Sequence, residues 1–362
     1  MTGENRLTLA VAGGRKTQSI IDACVESPRR RLIVTYTTNG QEELRGRLGE
    51  ACGTAAPEVM GWYGFLINHF VRPYLPAKYP GRRVEGFNFH YKPHLKATAE
   101  QRHFDPTGAL TKAGLSSLVG AIIEASNGAP IDRLSKIYEE LCVDEVQDLT
   151  GWDLVILEKL LLSPMRVTLV GDLRQSVYST NQSDQKLSQF RGLRKIDWFR
   201  AQESRGRLKI VESLYNWRSV DEVVSFANSV FPPAWGFGDA ESRQLENHSH
   251  QGFFRITPDQ VSEYTRTHMP LALGWDKRAA RRYEEVYSFS NLGEVKGVTV
   301  DHVLIHPTGP IAKFLRTGVT DLADEATCKL YVGVTRARFS VAFILEARAV
   351  APCLTPWPDH TL

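Results

Sequence analysis

The sequence predicts an α/β protein whose strands pair in parallel and whose chain is divided into two domains. Three observations predict it. Apolar, β-branched runs are each followed by a polar stretch at helical spacing, as where Arg31–Tyr36 (RLIVTY) passes into TTNGQEELRGRL; strands alternating with helices imply parallel sheets. At 362 residues and 42% hydrophobic content the chain is long enough for two cores of ordinary size. The most chemically distinctive residues follow directly on strand ends, where parallel sheets place their sites.

The elements follow in order. Leu7–Ala12 (LTLAVA) reads as a strand that enters glycines, and Lys16–Cys24 (KTQSIIDAC) as the helix after them. Arg31–Tyr36 is the second strand, with an amphipathic helix behind it. From about Val71 to Pro130 the chain turns rich in Pro, Gly, aromatic and basic residues (RPYLPAKYPGRR, GFNFHYKPHLK), which reads as an insertion over residues 71–130. Further strands are expected at Leu141–Val143, Arg166–Val170, Leu208–Val211, Leu271–Leu273 and Val300–Ile305, and an irregular surface connection at Pro232–Gly252. The domain boundary is expected near residue 205, giving domains 1–205 and 206–362. No repeat at solenoid spacing and no low-complexity tract is present.

Composition removes several classes of function. The balance of 44 basic and 41 acidic side chains leaves a net charge of only +3, so any affinity for nucleic acid must come from a local patch. The five cysteines are widely spaced with no CxxC pair, which argues against a disulfide framework or structural zinc and fits a reducing cytoplasm. No apolar run approaches the ~20 residues needed to cross a bilayer, and the N-terminus lacks a signal-peptide pattern, so no membrane partner is expected. The ten histidines, His248 and His250 among them, show no metal-binding spacing and read as surface residues. Arg278, Arg281 and Arg282 in DKRAARR read as an exposed helical face.

Three loops leaving strand ends fit one ATP-hydrolysing site. VAGGRKTQSI at Val11–Ile20 approximates the phosphate loop GxxxxGK[ST]. There the backbone N–H groups of Gly13, Gly14, Arg15, Lys16, Thr17 and Gln18 would cradle phosphates, Lys16 would neutralise β/γ charge, and the Thr17 hydroxyl would ligate Mg2+. VDEVQD at Val143–Asp148 offers adjacent carboxylates, Asp144 to hold the metal and Glu145 to polarise the attacking water. LVGDLRQSVY at Leu169–Tyr178 places Asp172 and Gln175 past another apolar strand, where an amide can sense the γ-phosphate.

Together and in this order, these residues resemble superfamily 1 DNA helicases of the UvrD/Rep type. RLIVTYTTNGQEELRGRL is similar to motif Ia of that family, which touches single-stranded DNA; ESLYNWRSVDEVVSFAN is similar to motif IV; VKGVTVDHVLI, with Gly297, is similar to motif V; LYVGVTRAR at Leu330–Arg338 is nearly a literal motif VI. The resemblance implies two RecA-like domains with ATP between them, Arg218 and Arg336 reaching the γ-phosphate, and Trp217 stacking on adenine. It further implies Tyr36, Thr37 and Asn39 as contacts to nucleic acid. GWYGFLINHF, at the place of motif Ib, adds Trp62 and Tyr63.

The chain also departs from the family pattern. Arg15 replaces the glycine before the lysine, either pointing outward or adding charge beside the β-phosphate. No glutamine precedes the first strand to read adenine, Thr299 stands where relatives carry a glutamate, and the aromatic-Arg pair expected after Gln175 is replaced by SVYSTNQSD. The segment from Arg218 to Val295 is too short for the accessory domain that relatives insert there. Such compactness resembles the helicase-like subunits of bacterial antiphage (Gabija-like) systems, which work with a nuclease subunit. The expected activity is ATP-dependent DNA unwinding or translocation on single-stranded DNA. The alternative is an ATP-binding, weakly hydrolysing regulatory subunit of a nuclease complex. No clustered Asp/Glu/Lys set follows Arg338 to make the chain itself a nuclease.

Overall fold

The computed structural model describes residues 4–177, 184–275, 287–293, 295–346 and 351–358. The DKRAARR arginines lie outside these. The chain divides into two compact units, one formed by Met1–Leu9, Lys16–Leu173 and Ser179–Val211, the other by Ala10–Arg15, Arg174–Tyr178 and Glu212–Leu362. Each is built on a six-stranded sheet with parallel pairing, the arrangement of a RecA-like α/β domain. Among the described residues no helix is long and apolar enough to cross a membrane.

In the first unit β1 (Arg6–Ala10), β2 (Arg31–Thr35), β3 (Glu58–Gly61), β4 (Glu140–Val143), β5 (Arg166–Gly171) and β6 (Lys209–Ser213) lie in the order β3-β2-β4-β5-β1-β6. Every residue of β2 and β4 is buried, as expected for strands covered on both faces. α1 (Lys16–Glu26) and α2 (Thr38–Cys52) cover one face. Ile20, Ile21 and Cys24 of α1 and Leu44 and Leu48 of α2 meet Ile33, Val59, Cys142 and Val170 in one apolar cluster. Each such leucine contributes about 1.5–3 kcal/mol on burial. α2 starts where Thr37, in extended conformation, accepts a hydrogen bond from Gly40 N, and it stops at Gly53, whose φ is +57°.

β3 is only four residues (EVMG) and gives no alternation from which to read it. The stretch read as an insertion contains α3 (Leu115–Ala125), whose Leu115, Leu118, Val119 and Ile122 are fully buried, so its later part builds the core of this unit. A short parallel bridge, Phe87–Asn88 with Leu110–Thr111, holds the earlier part. At the strand starts a buried ion pair joins Arg31 of β2 to Glu140 of β4 at 2.6 Å.

In the second unit β7 (Gly252–Ile256), β8 (Leu271–Gly274), β9 (Ser290–Asn291), β10 (Val300–Ile305), β11 (Ala337–Ile344) and β12 (Thr355–Pro356) lie in the order β9-β8-β10-β11-β7-β12. Phe254, Ile256, Ala272, Leu304, Ala342 and Ile344 pack with Val261 and Tyr264 of the helix Val261–His268. Beside this core the structure departs from the expectation of surface histidines. His248, His250, His268 and His302 form one packed group: His250 stacks on His268 at 3.7 Å and on Phe254 at 4.0 Å, while His248 lies 4.8 Å from His302 and stacks on Phe339 at 4.9 Å. His250 contacts the Tyr264 hydroxyl at 2.9 Å and His302 the Ser340 hydroxyl at 2.8 Å. Among the described residues no group of three His, Cys, Asp or Glu side chains is arranged to hold a metal ion.

Burial, reinforced by mutual repulsion, pushes His250 down to about 3 and His302 down to about 4, Asp301 opposing it at His302; burial also lowers His268. These folded values lie below the ordinary ~6.5, so between them the unfolded chain binds more protons. Stability is therefore complete above about pH 6.5 and is lost as pH falls toward 4. Thermal unfolding followed from pH 7.5 to 4.5 should show the melting temperature dropping below pH 6.5, and His250→Phe should flatten that drop. A wild-type melting temperature constant to pH 4.5 would contradict it.

Candidate functional site

Parallel pairing brings the carboxyl ends of all strands of a sheet to one edge, and the loops leaving that edge form its site. In the first unit β4, β5 and β1 are neighbours, with Val143 opposite Leu169 and Leu9 opposite Gly171. The loop after β1, the carboxylates after β4 and Asp172 after β5 therefore leave adjoining strands at nearly the same level.

The loop Ala10–Arg15 is held residue by residue within the second unit. Val11 N donates to Ser213 O at 3.1 Å, Ala12 N to the Tyr331 hydroxyl at 3.1 Å, and Trp217 N to Gly13 O at 3.0 Å. Gly13 has φ +70°, and a β-carbon there would lie 2.6 Å from Asn216 Oδ1 and 2.8 Å from Arg218 Cβ. Gly14 donates to Val11 O at 2.9 Å and closes the turn. Arg15 has φ +55°, the left-handed conformation for which glycine is usual. The strain costs roughly 1–2 kcal/mol. Part of it is offset where the guanidinium lies 3.9 Å from the centre of the Trp217 ring, a contact worth about 0.5–1 kcal/mol at an exposed site. The Arg15 side chain is exposed and lies over Trp217, the residue assigned from sequence to the adenine.

Lys16 is the first residue of α1, with Thr17 and Gln18 in its first turn. Gln18 is engaged by Asp22 at 2.7 Å and by Arg47. Across the sheet edge Asp144 is buried, and burial together with the charge of Glu145 raises its carboxyl above the ordinary carboxylate range, against the pull of Lys16. Glu145 has φ +53° and its N–H donates to Asp144 Oδ1 at 2.9 Å. The sequence reading missed Gln147, which is fully buried. Its amide nitrogen donates to Glu145, its amide oxygen accepts from Asp172 N at 3.1 Å, and its carbonyl accepts from Lys195 Nζ. One side chain thus ties the loop after β4 to the loop after β5. The signal was available, since Gln147 lies within VDEVQD. Gln175 is buried at the end of the turn Leu173–Gln175.

In the second unit Arg218 and Arg336 converge on one residue: Arg218 donates to Thr335 O at 3.0 Å and Arg336 contacts Thr335 Oγ1 at 3.4 Å. Arg336 is 2% exposed and also donates to Val332 O at 3.0 Å and Val298 O at 3.4 Å. Burial lowers the pKa of Arg218 from its ordinary value, with Tyr331 opposing. Trp217 is 43% exposed, with the Arg15 guanidinium over its ring. Gly297 has φ +83° and open space beside it. Tyr331 and Asn216 are further residues of this region missed from sequence, although both lie inside quoted motifs; Asn216 Oδ1 accepts from Arg218 N at 2.7 Å and Ser219 N at 2.9 Å.

The residues assigned to nucleic acid divide. Thr37 and Asn39 are exposed at the start of α2, where the Thr37 hydroxyl accepts from Gly40 N at 3.1 Å. Tyr36 and Tyr63 are half-buried and share a hydrogen bond at 3.2 Å. Trp62 is 1% exposed, packs against Phe65, and donates its ring N–H to Asp153 at 2.8 Å. It is a core side chain with no face open to a base.

The two glycines with positive φ separate conformational from steric cost. Gly297→Ala should lose only the ~1 kcal/mol of left-handed backbone, whereas Gly13→Ala should lose that plus ~1–3 kcal/mol of overpacking against Asn216 and Arg218. Urea midpoints measure both, and equal losses would contradict the described packing of the loop.

Residues 90–190 match the family model for the UvrD/REP helicase N-terminal domain. The matched span includes Asp144, Glu145, Asp172 and Gln175 but not the loop at Val11–Ile20. No curated protein matches the sequence. Among solved structures the chain is similar to the helicase of PRRSV, at 13% identity and a TM-score of 0.45 over 96% of this chain and 53% of that one. It is also similar to an arterivirus nonstructural protein 10 (helicase) in complex with DNA, at 12% identity and a TM-score of 0.48 over 95% and 61%. The chain thus spans little more than half the length of these structures. Over residues 90–190 it carries the domain signature of the UvrD/REP helicases, the family its motifs resemble.

Proposed function

We propose that the chain is an ATP-dependent motor of the superfamily 1 helicase type acting on single-stranded DNA. The observation that carries this reading is the placement of Lys16, the Asp144–Glu145 pair and Asp172 on loops leaving three adjoining parallel strands, two of the three within the matched family segment. In this reading Gly13 to Gln18 hold the phosphates and Lys16 balances their charge. The donor set suits a divalent cation, because Asp144 is buried beside a second carboxylate whose repulsion a cation would relieve. Thr17 and Asp144 would hold Mg2+, which when bound neutralises charge on the β- and γ-phosphate oxygens. Glu145, held by the Gln147 amide, orients the attacking water and draws on its proton. Gln175 senses the γ-phosphate, and Arg218 and Arg336 stabilise charge developing on it. Trp217 and Gly297 bound the nucleoside. Tyr36, Thr37, Asn39 and Tyr63 receive the DNA strand.

A second reading is favoured by one observation: Arg15 stands in a strained conformation over the Trp217 ring that adenine would need. In that reading the chain binds ATP, hydrolyses it weakly, and serves as a cytoplasmic subunit beside a nuclease, as in antiphage systems. Glu145→Gln tests the motor. It removes the water-polarising carboxylate while leaving Asp144 in place, so ATP affinity should stay within about threefold while turnover falls by ~10²-fold or more. Undiminished turnover in that variant would overturn the assignment.

A further inference from the structure

The aromatic residues at the carboxyl edge of the first sheet do not stop at Tyr63. Tyr36, directly after β2, meets Tyr63 at 5.9 Å, and Tyr63 meets both Phe87 and Phe89 at 5.6 Å. Phe87 and Phe89 pack at 4.4 Å and 73°. The row of rings therefore runs from the sheet edge to Phe89, whose side chain is wedged against two others and yet is 52% exposed. A large ring held by two aromatic neighbours and left half in water presents a fixed surface on which a flat partner can lie.

The loop that carries Phe89 is built rather than loose. Asn88 Oδ1 accepts from His90 N and Tyr91 N, each at 3.0 Å, and Asn88 Nδ2 donates to Asp105 at 2.7 Å. Asp105 in turn accepts from Thr107 N at 2.9 Å and Ala109 N at 3.1 Å. Farther along, Arg102 donates to Leu95 O at 2.7 Å and Ala97 O at 3.2 Å, which fixes the returning strand of the loop. No acidic residue occurs between Glu85 and Glu100, whereas Lys92 and Lys96 are both present and exposed. Lys112 adds a third cation, its ammonium 5.8 Å from the centre of the Tyr63 ring.

We propose that Phe89 is a base-stacking platform for single-stranded nucleic acid, with Lys92 and Lys96 as its phosphate contacts. The chemistry fits one class of partner. A half-exposed ring offers a surface for a base of any sequence, and two exposed cations in a stretch of sequence that carries no acidic residue match a phosphate backbone. The site extends the row begun by Tyr36 and Tyr63, so the proposal rests on the nucleic-acid reading of this unit. The bases would run outward over the loop Phe87–Lys96, and Phe89 would hold the strand independently of nucleotide state because none of its partners belongs to the phosphate loop.

Fluorescence anisotropy with a labelled oligo-dT and the full chain tests this. Phe89→Ala should weaken binding roughly tenfold, the scale of one lost stacked base. Phe89→Trp should restore affinity and show tryptophan quenching when oligonucleotide is added. Lys92→Ala with Lys96→Ala should instead lower the slope of log affinity against log salt by roughly 1.4. Basal ATP turnover without DNA should be unchanged in all of them. If the wild type binds oligo-dT and Phe89→Ala binds it within twofold of the wild type, the platform is wrong while the motor reading survives. If the wild type itself fails to bind, both fall. Binding of a protein ligand but not oligo-dT at this loop would likewise overturn the proposal.

Discussion

Glu140 fixes the register on which the first unit depends. It sits buried at the start of β4, pairs with Arg31 of β2 at 2.6 Å, accepts from Thr168 of β5 at 2.6 Å, and lies 3.6 Å from Arg166. Burial alone would raise its pKa, but the hydrogen bonds from Thr168 and Arg31 and the two positive charges hold the carboxyl below its ordinary value. Breaking such a pair leaves an unpaired buried charge and costs roughly 3–5 kcal/mol. A slip of one residue would turn Glu140 to the other face of the sheet, away from all three partners. Because register set at one end of a parallel ladder is carried to the other, the pairing Arg31–Glu140–Arg166 at the starts implies Val143 opposite Leu169 at the ends. The carboxylates after β4 and Asp172 after β5 emerge together for that reason.

At the far end of the same strands the structure is strained where the chemistry is proposed. Arg15 and Glu145 both hold left-handed backbone, and each is steadied by a side-chain contact, Arg15 by Trp217 and Glu145 by Gln147. Backbone in such conformations persists only when its surroundings over-determine it. The surroundings here are buried and hydrogen-bonded: a fully buried β4, a buried Gln147 bonded to Glu145, Asp172 and Lys195, and a turn closed from Gly14 to Val11. Local rules yield at these loops and are obeyed in the strands that carry them, the pattern expected of a functional site.

Much of this was legible in the sequence, and what was not has identifiable physical causes. Val300–Ile305 and Arg166–Gly171 were readable because long β-branched runs stand between polar loops, whereas Glu58–Gly61 is too short to show a period and Gly252–Ile256 follows an irregular segment. The motif residues stood out because Gly, Lys, Asp and Glu follow several apolar strands in one order, and the structure places them at strand ends. Gln147 and Tyr331 lay inside motifs already marked, yet the bonds they make were not readable, because a buried amide or phenol announces nothing about the partner it will find. Trp62 shows the opposite limit: an aromatic in an apolar segment is core or contact depending on one distant carboxylate, Asp153. The histidine group joins His248 and His250 of one loop to His268 of a helix and His302 of a strand, and no local spacing encodes that meeting.

The central claim is that the three strand-end loops form one site for ATP whose chemistry answers to a nucleic-acid strand. Steady-state ATP hydrolysis by the purified chain, with and without single-stranded DNA and beside Lys16→Ala, tests it most directly. The account predicts turnover that rises at least tenfold on adding DNA and is lost in Lys16→Ala in either condition. Turnover unaffected by DNA, or retained in Lys16→Ala, would contradict it.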